Sequence, residues 1–265
     1  MVSFNVMGFL DKKEPRRVPR MFEIVETIRE LDPDILCMQE FQSTPRAPKE
    51  QIDKLLPSLP YRAVNYRVVS APGYGWGLAI YSRFPILRSG HFNFEHSTNS
   101  MLWADVVLHR RDTIRIFNNH LQTTEINASD QHFITTPEIM QAEADEVKTR
   151  IRNIARKLRN NYRIRATQAD SLAVIIGESP YPVVVCGDFN DTPMSYVYHT
   201  VRGDLTDAFS EKAAGSIHTY QGFFNLFRID YLFHSRSLRT LSYATPPCEW
   251  SDHNPVAVQL QVKRE

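Results

Sequence analysis

Cysteine is scarce in this chain, and Cys37, Cys186 and Cys248 fall in no C-x-x-C spacing. Two of the three sit inside apolar runs, where a thiol acts as a small hydrophobe, so neither a disulfide framework nor a zinc site is implied. No apolar run approaches the ~20 residues of a membrane span, and the N-terminus lacks the basic and apolar regions of a signal peptide. An excess of either charge is missing too. The formal net charge is +1, so affinity for a polyanion must come from a local patch and not from a global field. Repeats, linkers and low-complexity segments are also lacking. What remains is 265 residues with 42% hydrophobic content, enough to bury a sizeable core, and the expectation is one soluble domain spanning 1–265.

The most informative stretch is Tyr181 to Pro193, reading YPVVVCGDFNDTP. Val183 to Cys186 is short and β-branched, as a buried strand should be, and it ends abruptly in Gly187, Asp188, Phe189 and Asn190. Side chains alternate along a strand, so Asp188 and Asn190 leave its end on the same face and can grip one polar object. Gly187 lets the backbone pass close to a neighbour, and Asp-Thr-Pro behind the pair stops the strand. An acidic strand end of this kind suits a metal or a reacting water. Alone, it would read equally well as an ordinary turn.

The rest of the chain alternates similarly. A strand at 2–6, with Val2, Phe4 and Val6 against Ser3 and Asn5, precedes a basic, proline-bearing loop and a helix with Met21, Ile24, Val25, Ile28 and Leu31 at helical period. Asp32-Pro33 ends that helix, and strand Ile35 to Met38 then delivers Gln39 and Glu40 at its tip. A helix is expected at 49–56, strands at Tyr61 to Val69 and Leu78 to Tyr81, and between those strands a glycine-rich turn at Gly73, Gly75 and Gly77. Leu102 to Leu108 and Ile114 to Asn118 read as a hairpin about Arg110-Arg111-Asp112, running into Asn119-His120-Leu121. An amphipathic helix over 138–162 has Val147, Ile151, Ile154, Leu158 and Tyr162 on its apolar side, with Lys148, Arg152, Arg156, Arg159 and Arg163 opposite. That basic row is either a solvated face or a surface for phosphate backbone or anionic lipid. A further helix through Ala166 to Ile176, a helical turn at 195–202, and strands Ile229 to Phe233 and Pro255 to Val262 complete the chain.

Polar residues gather at the strand ends: Asn5, Glu40, His120, Asp188, Asn190, Asp230, Asp252 and His253. The text around them, N-V near the start, then Q-E, N-H-L, G-D-F-N, R-I-D-Y and S-D-H-N-P, resembles in order and spacing the endonuclease/exonuclease/phosphatase superfamily, its bacterial members in particular. Singly, a Glu after a strand or an Asp-His pair is more often solvated surface. Six motifs in one order outweigh that reading.

The resemblance implies an α/β (α+β) fold, a four-layered α-β-β-α sandwich of two mixed sheets flanked by helices. It further implies one or two divalent ions, usually Mg2+ with Mn2+ or Ca2+ as alternatives, and hydrolysis of a phosphoester by in-line attack of water. Under it Glu40, the amide oxygen of Asn5, and Asp252 are the metal side, since magnesium takes hard oxygen ligands. Asp188 orients and deprotonates the water, and Asn190 holds it or a phosphate oxygen. His253 binds a non-bridging oxygen, Asp230 orients its ring and raises its pKa, and His120 is a second cation on the phosphate.

Substrate is left open among nucleic acid or another phosphodiester, which is favoured, and inositol- or lipid-phosphate. A catalytically inactive binding module on the same fold is the alternative of another class. Asn119, Trp76 and Tyr220 are the candidate substrate contacts; Tyr74, Phe223, Phe224 and Phe227 are further aromatics that could stack bases, cover lipid or pack the core. Trp76, among glycines, is expected in a surface loop. No obligate protein partner is evident and a monomer is expected. Because the first strand begins at Val2 without a lead-in, the native protein is expected to be longer, and bacterial relatives allow a membrane-anchoring segment upstream.

Overall fold

The computed structural model describes residues 1–10, 20–108, 112–124, 126, 128–135, 144–213, 215, 217–222 and 226–263. Two six-stranded sheets form the centre. The first contains β1 (Val2–Asn5), β2 (Ile35–Ser43), β3 (Tyr61–Ala71), β4 (Tyr74–Ser82), β11 (Leu238–Ala244) and β12 (Val256–Val262), in the order β11-β12-β1-β2-β4-β3. The second contains β5 (Ile86–Asn93), β6 (Ser100–Val107), β7 (Thr113–His120), β8 (Val183–Asp188), β9 (Thr206–Asp207) and β10 (Asp230–His234), in the order β5-β6-β7-β8-β10-β9. Within each sheet one pair is parallel, β1 with β2 and β7 with β8, and the other pairs are antiparallel, so both sheets are mixed.

The central strands are apolar on both faces because each face meets a different layer. Cys37, Ile80, Ile116, Val184, Cys186 and Leu232 fill the space between the sheets. Their strand neighbours turn outward. Phe4, Met38 and Phe41 meet Ile24 and Ile28 of α1 (Met21–Glu30) and Ile52 of α2 (Lys49–Leu55). On the far side Phe117, Val185 and Phe233 meet Ala169 and Leu172 of the long helix α4 (Ala144–Gly177) and Val197 of α5 (Tyr196–Arg202). The result is the expected four-layered α-β-β-α sandwich. Two short helices, α3 (Ala128–Thr135) and α6 (Ala208–Lys212), and a 3-10 turn at Met7–Phe9 complete the described elements.

Several expectations need correcting. The glycine-rich turn is shorter than expected: Gly73, at φ 78°, turns the chain between β3 and β4, but Gly75 and Gly77 lie inside β4, which starts at Tyr74. A Cβ on Gly77 would meet the Asn65 carbonyl oxygen at 1.9 Å and one on Gly75 the Tyr66 ring at 2.5 Å, so β3 approaches too closely for any side chain. Trp76 is therefore a strand residue, opposite Gln42 and Val68, and its ring lies against Gly8.

Two expected helices are one, α4, 34 residues long. Its packed face is Ile154, Asn161, Arg165, Gln168, Ala169 and Leu172. Ile151 and Tyr162, expected on that face, are about half exposed, because the helix buries long polar side chains that hold neighbouring backbone. Lys148, Arg152, Arg156, Arg159 and Arg163 are exposed, as the helical period requires. Residues 138–143 of the expected helix, Arg110 and Arg111 of the expected turn, and Phe223 and Phe224 lie outside the described residues.

Candidate active site

Strand register assembles the site. Parallel pairing of β7 with β8 sets His120 opposite Asp188, and antiparallel pairing of β8 with β10 sets Asp188 opposite Asp230. Three candidate side chains, His120, Asp188 and Asp230, thus stand in a row at one end of the second sheet. In the first sheet, Asn5 ends β1 opposite Gln39, and the next residue, Glu40, falls where the β2–β4 register shifts between Met38 and Phe41. Its φ of 53° is in the left-handed region, so this bulge re-aims the side chain toward the other sheet.

The two edges meet at Asp188, which is buried. Its Oδ2 accepts from Asn5 Nδ2 at 3.0 Å and lies 3.6 Å from both His120 Nε2 and His253 Nε2. Its Oδ1 is fixed by the Asn190 backbone N–H at 2.8 Å. Asn190, with φ of 52°, donates its own amide to the Leu121 carbonyl at 3.1 Å. Gly187 makes this possible: at φ 134° a Cβ there would sit 1.9 Å from the Asn119 carbonyl oxygen.

His253 Nδ1 bonds Asp230 Oδ2 at 2.9 Å. Burial disfavours the charged ring, but Asp230 and then Asp188 outweigh it and hold the pKa well above the ordinary 6.5. Thr219 Oγ1 accepts from the Ile229 and Asp230 N–H groups at 3.0 Å each, fixing the start of β10. Ser251 Oγ donates to the Asn5 carbonyl at 2.7 Å and accepts from His253 N–H at 3.1 Å, holding the loop that carries His253 to the end of β1.

The oxygen donors suit a hard divalent cation. Burial raises the Glu40 pKa; His120 works against that and Asp252 adds to it, so two neighbouring carboxylates repel in a poorly solvated place. A cation at Glu40 and Asp252 would relieve that repulsion, and no thiol competes, since all three cysteines are buried away in strands and core. Asn5 has its amide nitrogen, not the oxygen, toward Glu40. Its Nδ2 faces Glu40 at 3.1 Å while its Oδ1 takes the Met7 N–H at 3.0 Å, so this rotamer bridges carboxylates, and turning the amide over would present the oxygen. Asp188, Asp230 and His253 also bring ligand atoms within 4.8 Å of one another, but His253 Nδ1 is already committed to Asp230.

Of the other candidates, Tyr220 stands beside His253 with ring centroids 5.1 Å apart and lines the cleft. Asn119 does not reach the cleft: it is fully buried and donates to the Phe117 and Cys186 carbonyls at 3.3 and 3.0 Å, bracing β8. Trp76 does not line the cleft either.

Sequence reasoning passed over the supports. Gln39 Nε2 donates to Asn118 Oδ1 at 2.6 Å and to Ser3 Oγ at 3.1 Å, and Asn118 Nδ2 donates to the Met38 and Ala79 carbonyls, so a buried polar bridge joins the sheets below the site. On α4, Asn161 holds the Thr124 carbonyl at 2.9 Å, Arg165 the Gln122 carbonyl at 2.8 Å, and Gln168 the Gln122 N–H at 2.9 Å. The signal was present as polar residues at i, i+4 and i+7 in line with Ala169 and Leu172.

With the fold and these side chains in place, the class is settled. The chain belongs to the endonuclease/exonuclease/phosphatase family, whose model matches residues 2–253; its members are hydrolases of phosphoester bonds and are typically divalent-metal dependent. Among solved structures, the endonuclease/exonuclease/phosphatase from Beutenbergia cavernae is similar at TM-score 0.73 and 15% identity, covering 98% of this chain and 70% of that one. The human Nocturnin catalytic domain with bound sulfate anion gives 0.63 and 17%, covering 99% and 93%. A mannosyl-6-phosphatase from Bacteroides thetaiotaomicron gives 0.56 and 19%, covering 90% and 89%. At these identities the likeness is one of fold. No match was found among the curated proteins.

Proposed function

We propose that this protein is a divalent-metal-dependent phosphoesterase, nuclease- or phosphodiesterase-like, that cleaves its substrate by in-line attack of water. The observation that carries this reading is the setting of Asp188: one carboxylate oxygen fixed by Asn190 N–H at 2.8 Å, the other facing two imidazoles at 3.6 Å each. A base held this way is aimed before substrate arrives, which is the requirement for general-base catalysis.

Asp188 takes the proton of the water, and Asn190 steers that water without adding negative charge. His253, kept protonated by Asp230, binds a non-bridging oxygen and offsets the charge that grows on phosphorus. His120 Nε2 is buried and makes no hydrogen bond to the described residues, as suits a group that serves the leaving oxygen. Glu40 and Asp252 would hold the cation, which when bound supplies Lewis-acid polarisation of the phosphoryl oxygen. The set is complete, and this favours an enzyme over an inactive binding module.

The test is release of product from bis(p-nitrophenyl) phosphate, p-nitrophenyl phosphate, single-stranded and nicked DNA, and an inositol phosphate, with Mg2+ and with chelator. Turnover of a diester that disappears in chelator is expected. Full activity in chelator, or no turnover of any of the five, would overturn the proposal.

A further inference from the structure

Beside its polar groups, the cleft of about 620 Å3 has an apolar lining. That lining is Ile126, Leu158, Tyr162, Phe227 and Ile229, together with Thr123, Thr124 and Thr192. Leu158 and Tyr162 stand one turn apart on α4. They flank the face whose Asn161 and Arg165 are tied to Thr124 and Gln122, so this wall is fixed relative to the segment that carries Thr123 and Thr124.

Charge sharpens the picture. Four carboxylates line the cleft, Glu40, Asp188, Asp191 and Asp252, and among its described lining residues none is Lys or Arg. The cations that face the cleft are His253 and an ion at Glu40; Arg165, wholly buried with its guanidinium 4.6 Å from the Tyr162 ring, is already paired with Asp191. A second phosphate, or a charged group beyond the scissile phosphorus, would meet carboxylate and hydrocarbon with no described lining cation free to pair with it. A phosphodiester carries one negative charge, which the Asp188–His253 groups and the ion accept, and an uncharged substituent whose burial against apolar walls is favourable in proportion to the area covered.

We infer that Ile126, Leu158, Tyr162, Phe227 and Ile229 form a subsite for an uncharged apolar substituent, an aryl ring or an alkyl chain, on a phosphodiester substrate. The inference rests on the reading that the Asp188–His253 end receives the phosphate. It selects diesters over phosphomonoesters and polyphosphates by charge, and bulky esters over small ones by buried area.

Binding, not turnover, is the test, so that the subsite and the hydrolysis are judged separately. Ligand-observed NMR titrations in Mg2+ would compare dimethyl, diphenyl and dihexyl phosphate. At least one bulky diester should bind about tenfold or more tightly than dimethyl phosphate; whichever is tighter distinguishes ring from chain. Leu158→Asp should erase the preference and leave dimethyl phosphate binding unchanged. Ile126→Ser, on a different segment, should act the same way and serves should Leu158→Asp fail to fold. Equal affinity for all three diesters, or a preference that survives both substitutions, would overturn the subsite. A preference that holds while bis(p-nitrophenyl) phosphate is not turned over would support the subsite and count against the hydrolysis alone.

Discussion

Arg165 and Asp191 form an ion pair at 3.1 Å inside the protein, with relative side-chain exposures of 0% and 3%. Asp191 follows Asn190 directly, and the same guanidinium holds the Gln122 carbonyl, so one α4 side chain fixes both segments that flank Asp188. Arg165→Met would leave Asp191 buried without its partner. We expect a loss of about 3 kcal/mol or more in urea unfolding, and Arg165→Met with Asp191→Leu should recover part of it. A loss below about 1 kcal/mol would show the pair to be dispensable.

That pair also shows what the sequence does not reveal. Asp188 and Asn190 are legible only in company: alone they read equally well as turn residues, and it is the other strand-end motifs, in one order along the chain, that set them apart. Asp191 looks like one more turn residue, and only the fold brings it a cation from 26 positions away. The same limit hid the Gln39–Asn118 bridge between sheets. Strands β5 and β11 escaped for another reason: both are edge strands, β5 largely solvent-exposed and β11 broken in period by a bulge between Thr240 and Ser242. Trp76 was misplaced because glycines, which mark turns in sequence, here admit a close neighbouring strand.

His253 gives a pH dependence with a definite sign. Its folded pKa is raised by Asp230 and Asp188 in spite of burial, so the fold favours the protonated ring. The stability it contributes is fully present below the unfolded value, about 6.5, and is lost as pH rises through the raised folded value. Thermal melts without added metal should therefore weaken on the alkaline side, and Asp230→Asn should move that limb to lower pH. An identical alkaline limb in wild type and Asp230→Asn would contradict the assignment.

Glu40→Ala is expected to act through the cation and not through the reacting groups. Mg2+ should raise the melting temperature of the wild type by mass action, and the variant should need a much higher concentration for the same shift. Excess Mg2+ should also restore part of its rate. A wild-type response to Mg2+ in both the melting curve and the rate would mean that the ion sits elsewhere.

The central claim is that Asp188 is the base. Asp188→Asn keeps the shape and can still accept from Asn190 N–H, but it cannot take a proton near neutral pH. The measurement is kcat for bis(p-nitrophenyl) phosphate in saturating Mg2+, wild type against Asp188→Asn, at matched melting temperature. A fall of about a thousandfold or more is expected, since removing a positioned base and its charge removes an interaction made mainly in the transition state. A variant within tenfold of the wild-type rate would contradict the account.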